Sequence, residues 1–235
     1  MDHHRPAVAG GGAADRPALD VLGGVAEHGA VLLLPGRRCG GSGEPSPGTV
    51  LPSLRMRPFA AAVLRATPRE RVLVGRVRYR HQGRHADRAD RADRADPVHD
   101  ARRALRELRA LAGPLPVVLV GHSAGARAAL AAAGDPYVQG VVALAPWCPP
   151  GVPVGHLRGR HVIALHDEAD RVTRAVDTWS YLARADAAGA RVLGIAMPYG
   201  GHAMLRTARD WHRLTAAFAA AMFGLAPFPV PAYGR

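Results

Sequence analysis

Lysine is absent from this chain of 235 residues, so all of the 31 basic residues are arginine; against 19 acidic residues they give a formal net charge of +12. A basic surface of that size attracts nucleic acid or anionic membrane. The pattern argues against a nucleic-acid partner. No block of five or six consecutive basic residues occurs. Aromatic residues are scarce, at 5%, and are not interleaved with the arginines as a single-strand-binding surface requires. Arginine codons are GC-rich and lysine codons are not, so a GC-rich bacterial genome yields this bias without any partner. Cysteine is also rare. Cys39 and Cys148 stand far apart, too few for a disulfide framework and without metal-ligand spacing. No run of about 18 apolar residues occurs, so no membrane span is expected. Met1 to Asp15 lacks the apolar stretch of a signal peptide, and a cytoplasmic location is expected.

What is present is apolar: 48% of the chain is hydrophobic, enough for a sizeable core built mainly of Ala, Val and Leu. Residues 1–17, rich in Gly, Ala and charge, read as a tail, and 18–235 as one domain. Short apolar runs recur along that domain. Leu19 to Val25 is a weak first strand. Ala30 to Leu34, Arg71 to Tyr79, Pro116 to Val120, Val141 to Ala145, His161 to Leu165 and Arg191 to Met197 are strands bounded by turn residues. Between them lie helix-length segments: Arg57 to Thr67, Pro97 to Ala112 (with Ala101, Leu105, Leu108 and Leu111 on one side), Ser123 to Ala133, Arg174 to Ala188 and Ala203 to Phe223. Arg37 to Pro52, full of Gly, Pro and Ser, reads as a loop. Residues 86–96 repeat Arg-Ala-Asp with a period of three that fits neither helix nor strand, and read as a solvated loop insertion. Uniformly apolar strands separated by helical crossovers predict an α/β fold, with a mostly parallel central sheet covered by helices on both faces. In such sheets ligands bind beyond the carboxyl ends of the strands.

One motif sits at such a place. Gly121-His122-Ser123-Ala124-Gly125 follows an apolar strand and opens a helix, the context of a nucleophile elbow. The sharp turn exposes the Ser123 hydroxyl at a helix N-terminus, where backbone N–H groups and the helix dipole favour negative charge. A helix N-cap would account for the serine alone, but not for the two flanking glycines. Of 12 histidines, His202 stands out because it follows the last strand, in Tyr199-Gly200-Gly201-His202. His166 ends a strand and is its rival; His122 is expected to point away from the hydroxyl, and His212 to lie on a polar helix face. An orienting carboxylate is expected in Leu165-His166-Asp167-Glu168-Ala169-Asp170, with Asp170 the first candidate and Asp167 the alternate. Asp170 also suits a helix cap. An oxyanion hole needs two N–H donors. The Ala124 amide is one, and the loop after Ala30 to Leu34 is expected to supply Arg37 as the other.

These segments resemble the α/β-hydrolase superfamily, in particular small bacterial hydrolases of the dienelactone-hydrolase type, from about Ala30 to Phe223. LLLPG resembles the oxyanion strand and loop, VLVGHSAGARAAL the elbow and its helix, VVALAPW the next strand, LHDEADRVT the acid loop and GGHAML the histidine loop. The resemblance implies a triad of Ser123, His202 and Asp170 acting on esters or related acyl compounds. The chain departs from the pattern at Asp167, where family members usually carry glycine, and at Ala126, where glycine is usual. Only Pro146 to Arg160 separates two strands, so no substantial cap domain is expected. Trp147, just beyond a strand, is placed either to line the pocket or to pack. The expected reaction is acyl transfer from a small-molecule substrate to Ser123 and then to water, with no metal or organic cofactor. An acyltransferase or thioesterase would use the same three residues, and a non-catalytic scaffold would keep only the fold.

Overall fold

A computed structural model describes residues 17–36, 50–68, 71–79 and 97–230. Most of the expected tail, Arg37, Cys39 and the 86–96 insertion lie outside these residues. Seven strands form one sheet in the order β1-β3-β2-β4-β5-β6-β7. They are β1 (Leu19–Gly23), β2 (Gly29–Leu34), β3 (Val72–Val77), β4 (Val117–His122), β5 (Val138–Leu144), β6 (His161–His166) and β7 (Arg191–Ala196). The edge strand β1 runs antiparallel to β3, and every other pair is parallel.

Side chains of a strand alternate between faces, and here both faces are dry. Ala30, Leu32 and Leu34 of β2 join Leu119, Val141 and Ala164 in one core, while Val31 and Leu33 join Val120, Val142 and Ile163 in a second core across the sheet. Helices α3 (Pro97–Ala112), α4 (Ala124–Ala132) and α5 (Ala175–Ala187) seal the first core; α2 (Arg57–Ala66) and α6 (Ala208–Met222) seal the second. On α3 the buried stripe is Ala101, Ala104, Leu105 and Leu108, at the spacing of one helix face. The stripe ends there: Leu111, expected on the buried side, is 62% exposed. The alanines of α4 are almost all buried, and their small size lets that helix sit close on β4.

Four boundaries differ from expectation. Val50 to Pro52, read as loop, begins α1 (Val50–Arg55). Strand β5 starts at Val138, three residues early, because Val117 and the following residues of β4 offer it partners. It also stops at Leu144, since Ala145 turns out with φ 42°. The final helix starts at Ala208 rather than Ala203. Met204 and Thr207 both have left-handed φ (56° and 54°), and the Thr207 hydroxyl donates to the Pro198 carbonyl at 3.0 Å, so the chain turns instead of coiling. Between β5 and β6, the segment 145–160 holds only a single 3₁₀ turn (Gly155–Leu157), and no cap domain is present among the described residues.

Candidate active site

The register lines up the strand ends. His122, Leu144, Leu165 and Ile195 are successive neighbours across β4, β5, β6 and β7. Residues just beyond them therefore share one edge of the sheet, and Ser123, Asp170 and His202 all lie there.

Ser123 occupies the turn between β4 and α4 with φ 55° and ψ −122°, a strained backbone for a residue with a side chain. The turn leaves no room beside it. A Cβ on Gly121 would lie 2.5 Å from the Ala126 Cα, and one on Gly125 would lie 2.3 Å from the carbonyl oxygens of Leu34 and Pro35. Glycine is thus required twice by close backbone approach, and the elbow is wedged against the end of β2. The Ser123 amide donates to the Leu144 carbonyl at 3.0 Å, while its own carbonyl accepts from the Arg127 amide at 3.1 Å. The hydroxyl makes no helix-capping bond. It meets His202 instead: Ser123 Oγ lies 3.0 Å from His202 Nε2, and His202 Nδ1 lies 2.9 Å from Asp170 Oδ2.

The protonation pattern follows from Asp170. Burial alone would push its carboxyl up, but hydrogen bonds from His166, His202, the Val172 amide and the Thr173 hydroxyl outweigh burial and hold it well below the usual carboxylate range. Its Oδ1 accepts the amides of Val172 (2.7 Å) and Thr173 (3.2 Å), and its Oδ2 accepts the Thr173 hydroxyl at 2.9 Å. An ionised carboxylate only accepts, so His202 donates from Nδ1 and its Nε2 is left to accept the Ser123 proton.

Asp167, the alternate acid, does different work. Its Oδ2 accepts the amides of Gly200 (2.7 Å) and Gly201 (2.6 Å), the two residues before His202, and its Oδ1 accepts the Ala169 amide at 2.9 Å. It ties the acid loop to the histidine loop. Gly200 fits there because its Cα faces the buried Trp211 indole, 2.6 Å from where a Cβ would stand. His122 holds the same loop from the other side: its Nε2 donates to the His202 carbonyl at 2.9 Å. Burial and the neighbouring His202 ring push the His122 pKa down to about 3, so it is neutral. His166, the rival base, is fully buried and lies 3.3 Å from Asp170 Oδ2, while the ring within hydrogen-bond reach of Ser123 is that of His202. His212 departs from its expected polar face: it is half-buried and meets Phe59 edge-on at 4.5 Å.

Ala124 is the first residue of α4, so its amide is unpaired within the helix. Arg37 lies outside the described residues. Its predecessor Gly36 is buried against the elbow, where a Cβ would be 3.0 Å from His122 Nδ1 and 3.5 Å from the Ser123 Cβ. The Trp147 amide donates to the Ser123 carbonyl at 3.4 Å, and its ring is 40% exposed beneath the Arg127 guanidinium, 4.4 Å away. Cys148 is buried, which pushes its thiol up to about 12 and leaves it protonated. Among the described residues, no group of three or more His, Cys, Asp and Glu side chains is placed to hold a metal, and no helix is long and apolar enough to cross a membrane. Sequence reasoning passed over Thr173. Its spacing three residues after an aspartate, which suits a side-chain turn, is the signal that marks it.

Neither a protein-family model nor a curated relative matches the chain. Solved structures do. XC6422 from Xanthomonas campestris, an α/β serine hydrolase without a lid, superposes with a TM-score of 0.58 at 20% identity, over 91% of this chain and 89% of that one. A dienelactone hydrolase from Anabaena variabilis gives 0.62 at 18% identity, over 86% and 90%. Est2, a thermophilic esterase from Thermogutta terrifontis solved with butyrate bound, gives 0.59 at 16% identity, over 90% and 91%. The chain has the α/β-hydrolase fold.

Proposed function

We propose that this α/β-hydrolase-fold chain is a serine hydrolase that cleaves carboxylic esters or related acyl compounds, with Ser123 as nucleophile, His202 as base and Asp170 as the acid that orients the base. The observation that carries this reading is the continuous hydrogen-bonded line from Ser123 Oγ through both ring nitrogens of His202 to Asp170 Oδ2. In the reaction, His202 Nε2 takes the Ser123 proton as the oxygen attacks the acyl carbonyl. The buried charge of Asp170 stabilises the imidazolium that forms. The oxyanion is held by the Ala124 amide and by the amide of Arg37, whose neighbour Gly36 already lies against the elbow. The imidazolium then protonates the leaving oxygen, and the same ring activates water to release the acyl group. Trp147, whose amide donates to the Ser123 carbonyl, is 40% exposed and offers an apolar surface beside the nucleophile that favours an apolar acyl chain. The butyrate held by Est2 makes short esters the first to try.

A fluorophosphonate probe tests the reading. The folded protein is expected to be labelled, and Ser123→Ala to lose both labelling and p-nitrophenyl ester hydrolysis, the latter by about 10⁴-fold or more. A folded protein that takes no label would favour a non-catalytic scaffold. Running p-nitrophenyl esters of increasing chain length beside a thioester panel separates esterase from thioesterase, and adding alcohol acceptors reveals an acyltransferase.

A further inference from the structure

The proposed reaction leaves one fully buried imidazole unused. His166 ends β6, and its Nε2 lies 3.3 Å from Asp170 Oδ2 and 3.2 Å from the Thr173 carbonyl oxygen. Both of those oxygens only accept, so Nε2 carries a proton. On the other side of the ring, Nδ1 lies 2.8 Å from Thr178 Oγ1 on α5, and Trp179 meets the ring edge-on. The Thr178 hydroxyl has one proton, which Nδ1 can accept. Donors then point the same way along the line: Thr178 to His166, His166 to Asp170. His202 and Thr173 donate to the same carboxylate oxygen, and the Thr173 hydroxyl also lies 3.3 Å from His166 Nε2.

We propose that His166 is a positioning residue for the acid: by donating to Asp170 Oδ2 it fixes the carboxylate toward His202 and moderates the charge that His202 feels. This rests on the reading of Asp170 as the orienting acid. Two histidines share one carboxylate oxygen. A donor on one side withdraws part of the negative charge that would stabilise the imidazolium on the other, which keeps His202 a base that can also return its proton. The charged and titratable groups facing His202 are Asp170 from the acid loop and neutral His122 from the elbow, beside the hydroxyls of Ser123 and Thr173. Arg55 on α1 acts on His122. None of these groups is on α5; of the two imidazoles that reach the Asp170 carboxylate, His166 is the one bonded to that helix, through Thr178.

The test compares His166→Phe, which keeps a flat ring without a donor, with His166→Gln, whose amide N–H reaches about as far as Nε2. On a p-nitrophenyl ester, His166→Phe is expected to lower kcat about tenfold with KM unchanged. It is also expected to move the acidic limb of the kcat/KM profile up by about half a pH unit, a fraction of what one hydrogen bond to a charged group is worth. His166→Gln is expected to bring both back toward the parent. A Phe profile that superposes on the parent, or a Gln variant no better than Phe, overturns the proposal and leaves His166 as packing. Thr178→Val guards against a Phe variant that fails to fold. It removes the hydroxyl that holds the tautomer, touches neither Asp170 nor His202, and is expected to move the limb in the same direction; no movement counts against the proposal. Nitrogen NMR of the resting enzyme supplies a readout independent of turnover. The His166 ring is expected to carry a proton on Nε2, with a resonance that shifts in Asp170→Asn; a proton at Nδ1 alone refutes the assignment. Protein that neither labels nor hydrolyses sinks the proposed function, while this spectrum still decides the hydrogen bond.

Discussion

At the scale of single residues, His122 links the active-site loop to stability. It is 2% exposed, neutral, and donates to the His202 carbonyl. Its folded pKa, about 3, lies below the value near 6.5 of an unfolded chain. Between those values the unfolded state binds a proton that the folded state does not, so stability falls as pH drops from about 6.5 toward about 3, by roughly 1.4 kcal/mol per pH unit from this group alone. Asp170 acts in a lower window: its depressed carboxyl adds stability above about pH 4 that is lost only as pH falls further. His122→Gln keeps a donor for the His202 carbonyl and cannot titrate. Urea unfolding at pH 6, 5 and 4.5 is expected to show a shallower loss of stability in the variant, and an unchanged slope would mean that His122 is protonated in the fold. That Ser123, Asp170 and His202 come together was legible, because Ser123 follows its strand directly and the other two stand four and six residues beyond theirs, among turn residues. The roles of His122, His166 and Thr173 were not, since where a buried side chain points depends on partners 7 to 80 residues away.

At the scale of elements, the strands were read from apolar runs that a sheet covered on both faces demands, and the structure alters their ends more than their existence. The larger differences occur where tertiary contacts override local pattern. Residues 203–207 have helical composition, yet the histidine loop keeps them as turns, because Gly200 and Gly201 are bonded to Asp167 and His202 to His122. Asp167 stands where the resembling family usually has glycine, and its carboxylate joins two loops that carry different parts of the site. Asp167→Ala strands three amides without their acceptor, two of them in the histidine loop. It is expected to lower stability by about 2 kcal/mol and kcat by about tenfold, with the far-UV circular dichroism of the parent. Unchanged kcat would show that the histidine loop keeps its shape without this tie.

At the scale of the whole molecule, the short connection between β5 and β6 bears on how a substrate of the proposed reaction would arrive. Segment 145–160, the connection with room for a cap between β5 and β6, contributes only one 3₁₀ turn. Hydrolysis of a short ester is therefore expected to follow simple saturation, with no jump in rate where the substrate begins to aggregate; a sharp rise at that concentration would indicate a mobile cover. The parallel sheet and the short connection between β5 and β6 were legible from strand spacing, whereas the antiparallel direction of β1 was not, because a short weak run carries no signal of direction. The site is also assembled from parts far apart along the chain: Ser123 and His202 are separated by 79 residues, and the last strand comes between acid and base. During synthesis the serine is made before either partner. On the proposed reading, a nascent chain carries an inert hydroxyl, and the capacity to attack an ester arises only once His202, 79 residues later, has emerged and folded onto the rest.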